Sequence, residues 1–133
     1  MPPFELEALE QHPDEGPVTM VNLLKFRDES LDGKGSGRAA YNRYAAVAER
    51  LIEERGGCVI WVGSVDHLAL HEGGDADWDA AQLVFYPSRA SFIDMVTSPA
   101  YLEANEHRKN GTEKHVILAT KTRIAGTLPE ALR

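Results

Sequence analysis

Tyr101, Asn105 and Arg108 stand at i, i+4 and i+7, the spacing that places side chains on one stripe of a helix. Arg108 is the chemically pointed member, because a guanidinium is a fixed cationic fork suited to a carboxylate. The ordinary alternative is an ion pair within the helix or across subunits, for which Glu103 and Glu106 are close in sequence. Asn22 lies among apolar residues, on a face shared with Met20 and Leu24. A buried amide there must find partners. It either bonds backbone or bound water, or holds a carbonyl or enolate oxygen in a ligand cleft. Tyr41 and Tyr44 would line such a cleft together with Asn22 and Arg108, although aromatic residues more often serve core or interface.

Other pairings carry less. His67 and His71 have the spacing of a helical metal pair, but their surroundings read as strand, where four residues span about 13 Å. Glu103 and His107 have helical spacing, yet two ligands do not complete a site. The chain is therefore expected to hold no metal, no haem and no other cofactor. His107 and His115 are candidate proton carriers, since imidazole titrates near neutral pH. Asp77 and Asp79 flank Trp78 and read as solvated turn residues, with a carboxylate base as the alternative. Cys58, the single cysteine, sits in an apolar run with Val59, Ile60, Trp61 and Val62, and is expected to be a buried thiol. No phosphate-binding glycine loop, nucleophile elbow or dinucleotide fingerprint is present.

The chain that must position these residues has 133 of them, enough for one domain with a real core. Its 14 basic and 21 acidic residues give a net charge of −7, which disfavours a nucleic-acid partner. No apolar run reaches the ~18 residues of a membrane span, and the acidic start lacks a signal-peptide profile. A cytoplasmic location with no membrane partner is the expectation.

A short helix is expected around Phe4 to Leu9, stopped by His12-Pro13. Gly16-Pro17 then releases a strand over 18–26. The polar, glycine-rich 27–37 reads as loop, and a helix follows over about 38–55, closed by Gly56-Gly57. The second strand is expected over 58–70, with Gly63 marking a bulge or bend, and the third over 78–86. Ser88 and Ser98 read as N-caps of two successive helices, the second carrying Pro99 at its first position and ending near Asn110-Gly111. The last strand is placed over 115–124. The order βαββαβ is that of the α+β ferredoxin-like fold, a four-stranded antiparallel sheet with its helices on one face.

Such a sheet should alternate apolar and polar residues. These strands do not: Val21 and Leu23 oppose Met20 and Leu24, Leu83 and Phe85 oppose Val84 and Tyr86, and Val116 and Leu118 oppose Ile117 and Ala119. Both faces are apolar, and helices are available for only one. A homodimer formed sheet to sheet is the simplest cover for the second.

The phrases VNLLKFR, YNRYAAVAERLIEERGG and LVFYPSRASFIDMVTSPAY closely resemble an uncharacterised, mostly bacterial family of the dimeric α+β barrel superfamily, domain of unknown function 1330. The likeness covers about 17–124 and includes the tyrosine pair ahead of Gly56-Gly57, the Glu72-Gly73 turn, the Pro87-Ser88 step and the Ser98-Pro99 helix start. It implies two ferredoxin-like subunits whose sheets face each other, and it marks the positions of Tyr101 and Arg108 as recurrent. It implies no activity. Across the superfamily stand cofactor-free oxygenases, lactone isomerases, haem-handling enzymes and plain ligand binders. Three readings stay open. The first is a homodimer binding a small, partly apolar metabolite, with an acidic group as one option, between sheet and helices. The second is a cofactor-independent oxygenase or isomerase, and the third a non-catalytic interaction module.

Overall fold

A computed structural model describes residues 4–133. In chain order it contains α1 (Leu6–Gln11), β1 (Val18–Phe26), α2 (Gly37–Glu54), β2 (Cys58–Ser64), β3 (Ala80–Tyr86), α3 (Arg89–Val96), α4 (Pro99–Gly111), β4 (Thr112–Thr120) and a terminal 3-10 turn, Glu130–Leu132. The strands form one four-stranded antiparallel sheet in the order β2-β3-β1-β4. This is the ferredoxin-like arrangement.

Local chemistry starts the helices where the sequence places them. Ser36, Ser88 and Ser98 each accept a backbone N–H from the residue three further on, Ala39 at 3.1 Å, Ser91 at 3.1 Å and Tyr101 at 3.3 Å. Each satisfies a donor that the first helical turn leaves orphaned. Val18, Met20 and Leu24 of β1 then bury against Ala48, Leu51 and Ile52 of α2, Phe92 and Met95 of α3, and Tyr101 of α4.

Two glycines set how α4 sits on α2. A Cβ on Gly37 would meet the Arg27 nitrogen at 2.7 Å and the Gly111 oxygen at 2.6 Å, and a Cβ on Gly111 would meet the Tyr41 nitrogen at 2.8 Å. Backbone bonds close the same knot, Arg27 N–H to Gly111 O at 2.8 Å and Gly37 N–H to Arg27 O at 3.0 Å. The start of α2, the end of α4 and the exit of β1 therefore meet backbone to backbone.

Several expectations need correction. The second strand stops at Ser64, and the segment 65–79 is irregular, with Val65, Leu68 and Leu70 39%, 53% and 76% exposed. The third begins at Ala80 because Asp79 leaves the ladder. Its N–H donates to Leu24 O at 2.7 Å and its carboxylate accepts from Phe26 N–H at 2.9 Å, so it is a half-buried strand cap rather than a solvated turn residue. The last strand spans Thr112–Thr120: Thr112 closes the end of α4 by donating to Arg108 O at 2.8 Å, and pairing ends where β1 begins. Gly63 does not mark the bulge, which falls between Val59 and Trp61; it leaves room for the Trp61 indole, which fills the place a Cβ would take.

The helix-free face carries Val21, Leu23, Leu83 and Phe85, half-buried, with Trp61, Val116 and Leu118 37%, 38% and 51% exposed. Cys58 pairs opposite Phe85 on the outermost strand and is exposed in the single chain, against the expectation of a buried thiol.

Candidate functional site

The stripe on α4 faces inward: Tyr101, Asn105 and Arg108 are all buried. Arg108 Nε–H donates to Asn105 Oδ1 at 2.6 Å, and Nη1 lies 3.3 Å from His115 Nδ1 on β4. His115 Nε2 lies 2.8 Å from Asn22 Oδ1 on β1, and Asn22 Nδ2 reaches Met20 O at 3.4 Å. A guanidinium can only donate. His115 Nδ1 must then accept, its Nε2 must carry the proton, and Asn22 Oδ1 must accept that. The chain Asn105–Arg108–His115–Asn22 has a single self-consistent polarity, with a neutral imidazole at its centre. Burial first, and the Arg108 charge second, push the His115 pKa down to about 3, in keeping with that tautomer.

Arg108 has no carboxylate within ion-pair distance among the described residues. Glu106, offered by the sequence as a partner, pairs instead with Lys109 at 3.0 Å. The guanidinium carbon lies 5.8 Å from the Phe4 ring centroid. Nη2 makes no hydrogen bond within 3.5 Å among the described residues.

Two cavities occupy the layer between helices and sheet. The outer, about 450 Å³, opens beside the β4 edge between α1, α3 and α4. Phe4, Leu9, Phe92 and Ile117 give it apolar walls; Arg108, Arg89, His115, His12 and the exposed carboxylate of Glu5 give it polar points. Arg89 is buried and donates to Asp14 O at 3.3 Å. The inner cavity, about 120 Å³, is lined by Asn22, Tyr41, Tyr44, Tyr101 and Gln82. Met20, Phe92 and Ile117 line both and form the partition.

The tyrosines are held tightly. The Tyr44 and Tyr101 hydroxyls are 2.9 Å apart, and Tyr41 OH bonds the Gln82 amide at 3.1–3.3 Å. Burial pushes the Tyr41 phenol up to about 12, and raises those of Tyr44 and Tyr101. For Tyr101 the bond from Tyr44 and the nearby Arg108 charge work against that rise.

Asn22, Tyr41, Tyr44 and Tyr101 thus meet around the inner cavity, while Arg108 faces the outer one. Asn105 lines neither and braces Arg108 from behind. His67 and His71 are exposed in the irregular segment, where His71 Nε2 lies 3.0 Å from Gly74 O. Asp77 and Asp79 are both tied to Lys25, at 3.0 and 3.3 Å. Two contributors went unremarked from the sequence. Arg89 reads there only as an ordinary first-turn residue after Ser88, and its sharing of a buried stripe with Phe92 and Val96 was the available sign. Gln82 carried none beyond a polar residue in an apolar strand.

Residues 34–122 match the family model described as domain of unknown function, DUF1330. The chain belongs to the DUF1330 family. The match starts after β1, so the phrase VNLLKFR lies outside it. A DUF1330 chain of this kind is similar in structure to a protein of unknown function from Rhodopseudomonas palustris, with 30% identity, TM-score 0.82, and coverage of 94% of this chain and 97% of that one. The methylated form of that protein aligns with 32% identity, TM-score 0.82, and coverage of 96% of each chain. A ferredoxin-like protein of unknown function from Bacteroides fragilis, described as dimeric, shares the fold at TM-score 0.54 and 15% identity, over 81% of this chain and 98% of that one. No curated protein matches the sequence. No helix among the described residues is long and apolar enough to cross a membrane.

Proposed function

We propose that this DUF1330 protein is a sheet-to-sheet homodimer that binds one small, partly apolar carboxylate per subunit in the outer cleft. One observation carries the reading: Arg108 is a buried cation with no anionic partner among the described residues, and part of its fork abuts an apolar-walled space. A buried charge is costly unless paired. A carboxylate would supply paired, charge-assisted bonds to the fork, and Arg89 adds a second cation. The cleft volume falls within the roughly 300–1,000 Å³ of small-molecule sites. An open cleft also speaks for a ligand over an interaction module whose polar residues only brace the fold.

Binding is better supported here than proton-transfer catalysis. The lone pair of His115 rests on Arg108 and its proton on Asn22, so the imidazole acts as a base only after one of those bonds breaks. The tyrosine phenols are shifted away from ready ionisation.

Thermal melting with short-chain carboxylates and their neutral amides tests the reading. Carboxylates at about a hundredfold excess over Kd should raise the melting temperature by about 5–10 °C, and amides should not. Ala119→Phe, which fills the cleft at its β4 wall without touching the polar chain, should abolish the shift. Equal shifts from acid and amide, or none from either, would overturn it.

A further inference from the structure

We infer that the two cavities form one bipartite site, and that the ligand is an oxo acid or enol acid, its carboxylate in the outer cleft and a second oxygen acceptor in the inner chamber. This rests on the acid site proposed above and adds what the inner chamber selects.

Among its buried residues the inner chamber has a surplus of donors; the one carboxylate that lines it, Glu49, is exposed. The Tyr44 and Tyr101 hydroxyls share one hydrogen bond, which uses one of their two protons; the other has no acceptor among the described residues. Asn22 Nδ2 carries two protons and uses one, in a long 3.4 Å bond to Met20 O, while its oxygen is already taken by His115. Buried donors are rarely left unpaired. Two of them converging on one cavity, with no carboxylate bonded to either, suit a carbonyl or enol(ate) oxygen.

The chambers are contiguous in the sense that matters for one ligand. Met20, Phe92 and Ile117 line both and stand between them. Methionine is the most easily rearranged of apolar side chains, so the partition can yield. Arg108 lies on the outer side, yet acts on the Tyr101 hydroxyl, which lines the inner. The anion site and the donor pair are thus neighbours. A space of about 120 Å³ is several times what one water needs, enough for a short oxygenated chain.

Calorimetry on the intact protein with pentanoate, hexanoate, 4-oxopentanoate and 5-oxohexanoate tests the idea. At least one oxo acid should bind about tenfold tighter than its unsubstituted partner, the scale of one added buried hydrogen bond. The double variant Tyr44→Phe/Tyr101→Phe should erase that advantage, read as the ratio of oxo-acid to unsubstituted-acid affinity within the same variant. Ala45→Leu, which fills the inner chamber without removing a polar group, should do the same and guards against a folding defect in the double variant. If pentanoate binds and no oxo acid binds tighter, or if the advantage survives both variants, the bipartite site is wrong and the acid site stands. If no acid binds the wild type, both fail together.

Discussion

At the residue scale the molecule turns on His115. Folded, it is held down to about 3; unfolded, it titrates near 6.5. The unfolded chain therefore takes up a proton that the folded chain refuses. The stability His115 lends is complete above about pH 6.5 and is lost as pH falls toward 3, at a slope approaching about 1.4 kcal/mol per pH unit. Asp14, Asp32, Asp75 and Asp79, held below the usual 3.8, give up their contributions only at lower pH. Melting temperature should fall between pH 6.5 and 4.5, and His115→Gln should flatten that fall; an unchanged profile would refute the half-buried neutral imidazole. Arg108→Met should cost about 1–3 kcal/mol of stability in urea titration, because Asn105 Oδ1 and His115 Nδ1 lose their donor. It should also weaken acid binding by about 1.5–3 kcal/mol, the scale of a hydrogen bond to a charged group. An intact melt would contradict the bracing geometry. The stripe of Tyr101, Asn105 and Arg108 was legible because helical spacing is a local property. The bond from Arg108 to His115 was not, since it depends on how α4 and β4 fold back on each other at Gly111.

At the scale of elements, the helix starts were the most legible, because a serine cap and the residues it serves are neighbours in sequence. Strand ends were harder. Whether β2 continues past Ser64 or β4 past Thr120 depends on where the partner strand runs out, which no local pattern records. Residues 65–70 read as strand because Val65, Leu68 and Leu70 are apolar, yet the ladder ends at Ser64, and ion pairs hold the following 75–79 in an irregular course. Lys25 takes Asp77 and Asp79, and Lys114 takes Asp75 at 2.8 Å while standing 4.6 Å from the Trp78 ring centroid. The knot of Gly37 and Gly111 was equally invisible, since each glycine makes sense only against the other's backbone. Gly37→Ala should destabilise the fold by about 1–3 kcal/mol or more, because backbone has no rotamer with which to yield. Urea titration checks this, and a change under 0.5 kcal/mol, the range of a neutral surface substitution, would show that the two elements can separate freely.

For the whole molecule, the unpaired sheet face is the dominant fact. Val21, Leu23, Leu83 and Phe85 are only half-buried, and Trp61, Val116 and Leu118 are left exposed beside them in one chain. Contiguous apolar area of this kind marks an interaction surface. Doubly apolar strands made it legible in the sequence, and the strand registers place those residues together. A sheet-to-sheet dimer should bury on the order of 2,000 Å² or more and persist at low micromolar concentration in sedimentation equilibrium. Val116→Asp, a charge on that face, should yield monomer; a wild type that sediments as a folded monomer would remove the dimer. The central claim, an acid held at Arg108, is met most directly by a crystal structure of the protein saturated with pentanoate. A carboxylate within hydrogen-bond distance of Arg108 Nη2, its chain along Phe4 and Ile117, is the expected result. Pentanoate seated elsewhere, with only water against Arg108, would contradict it.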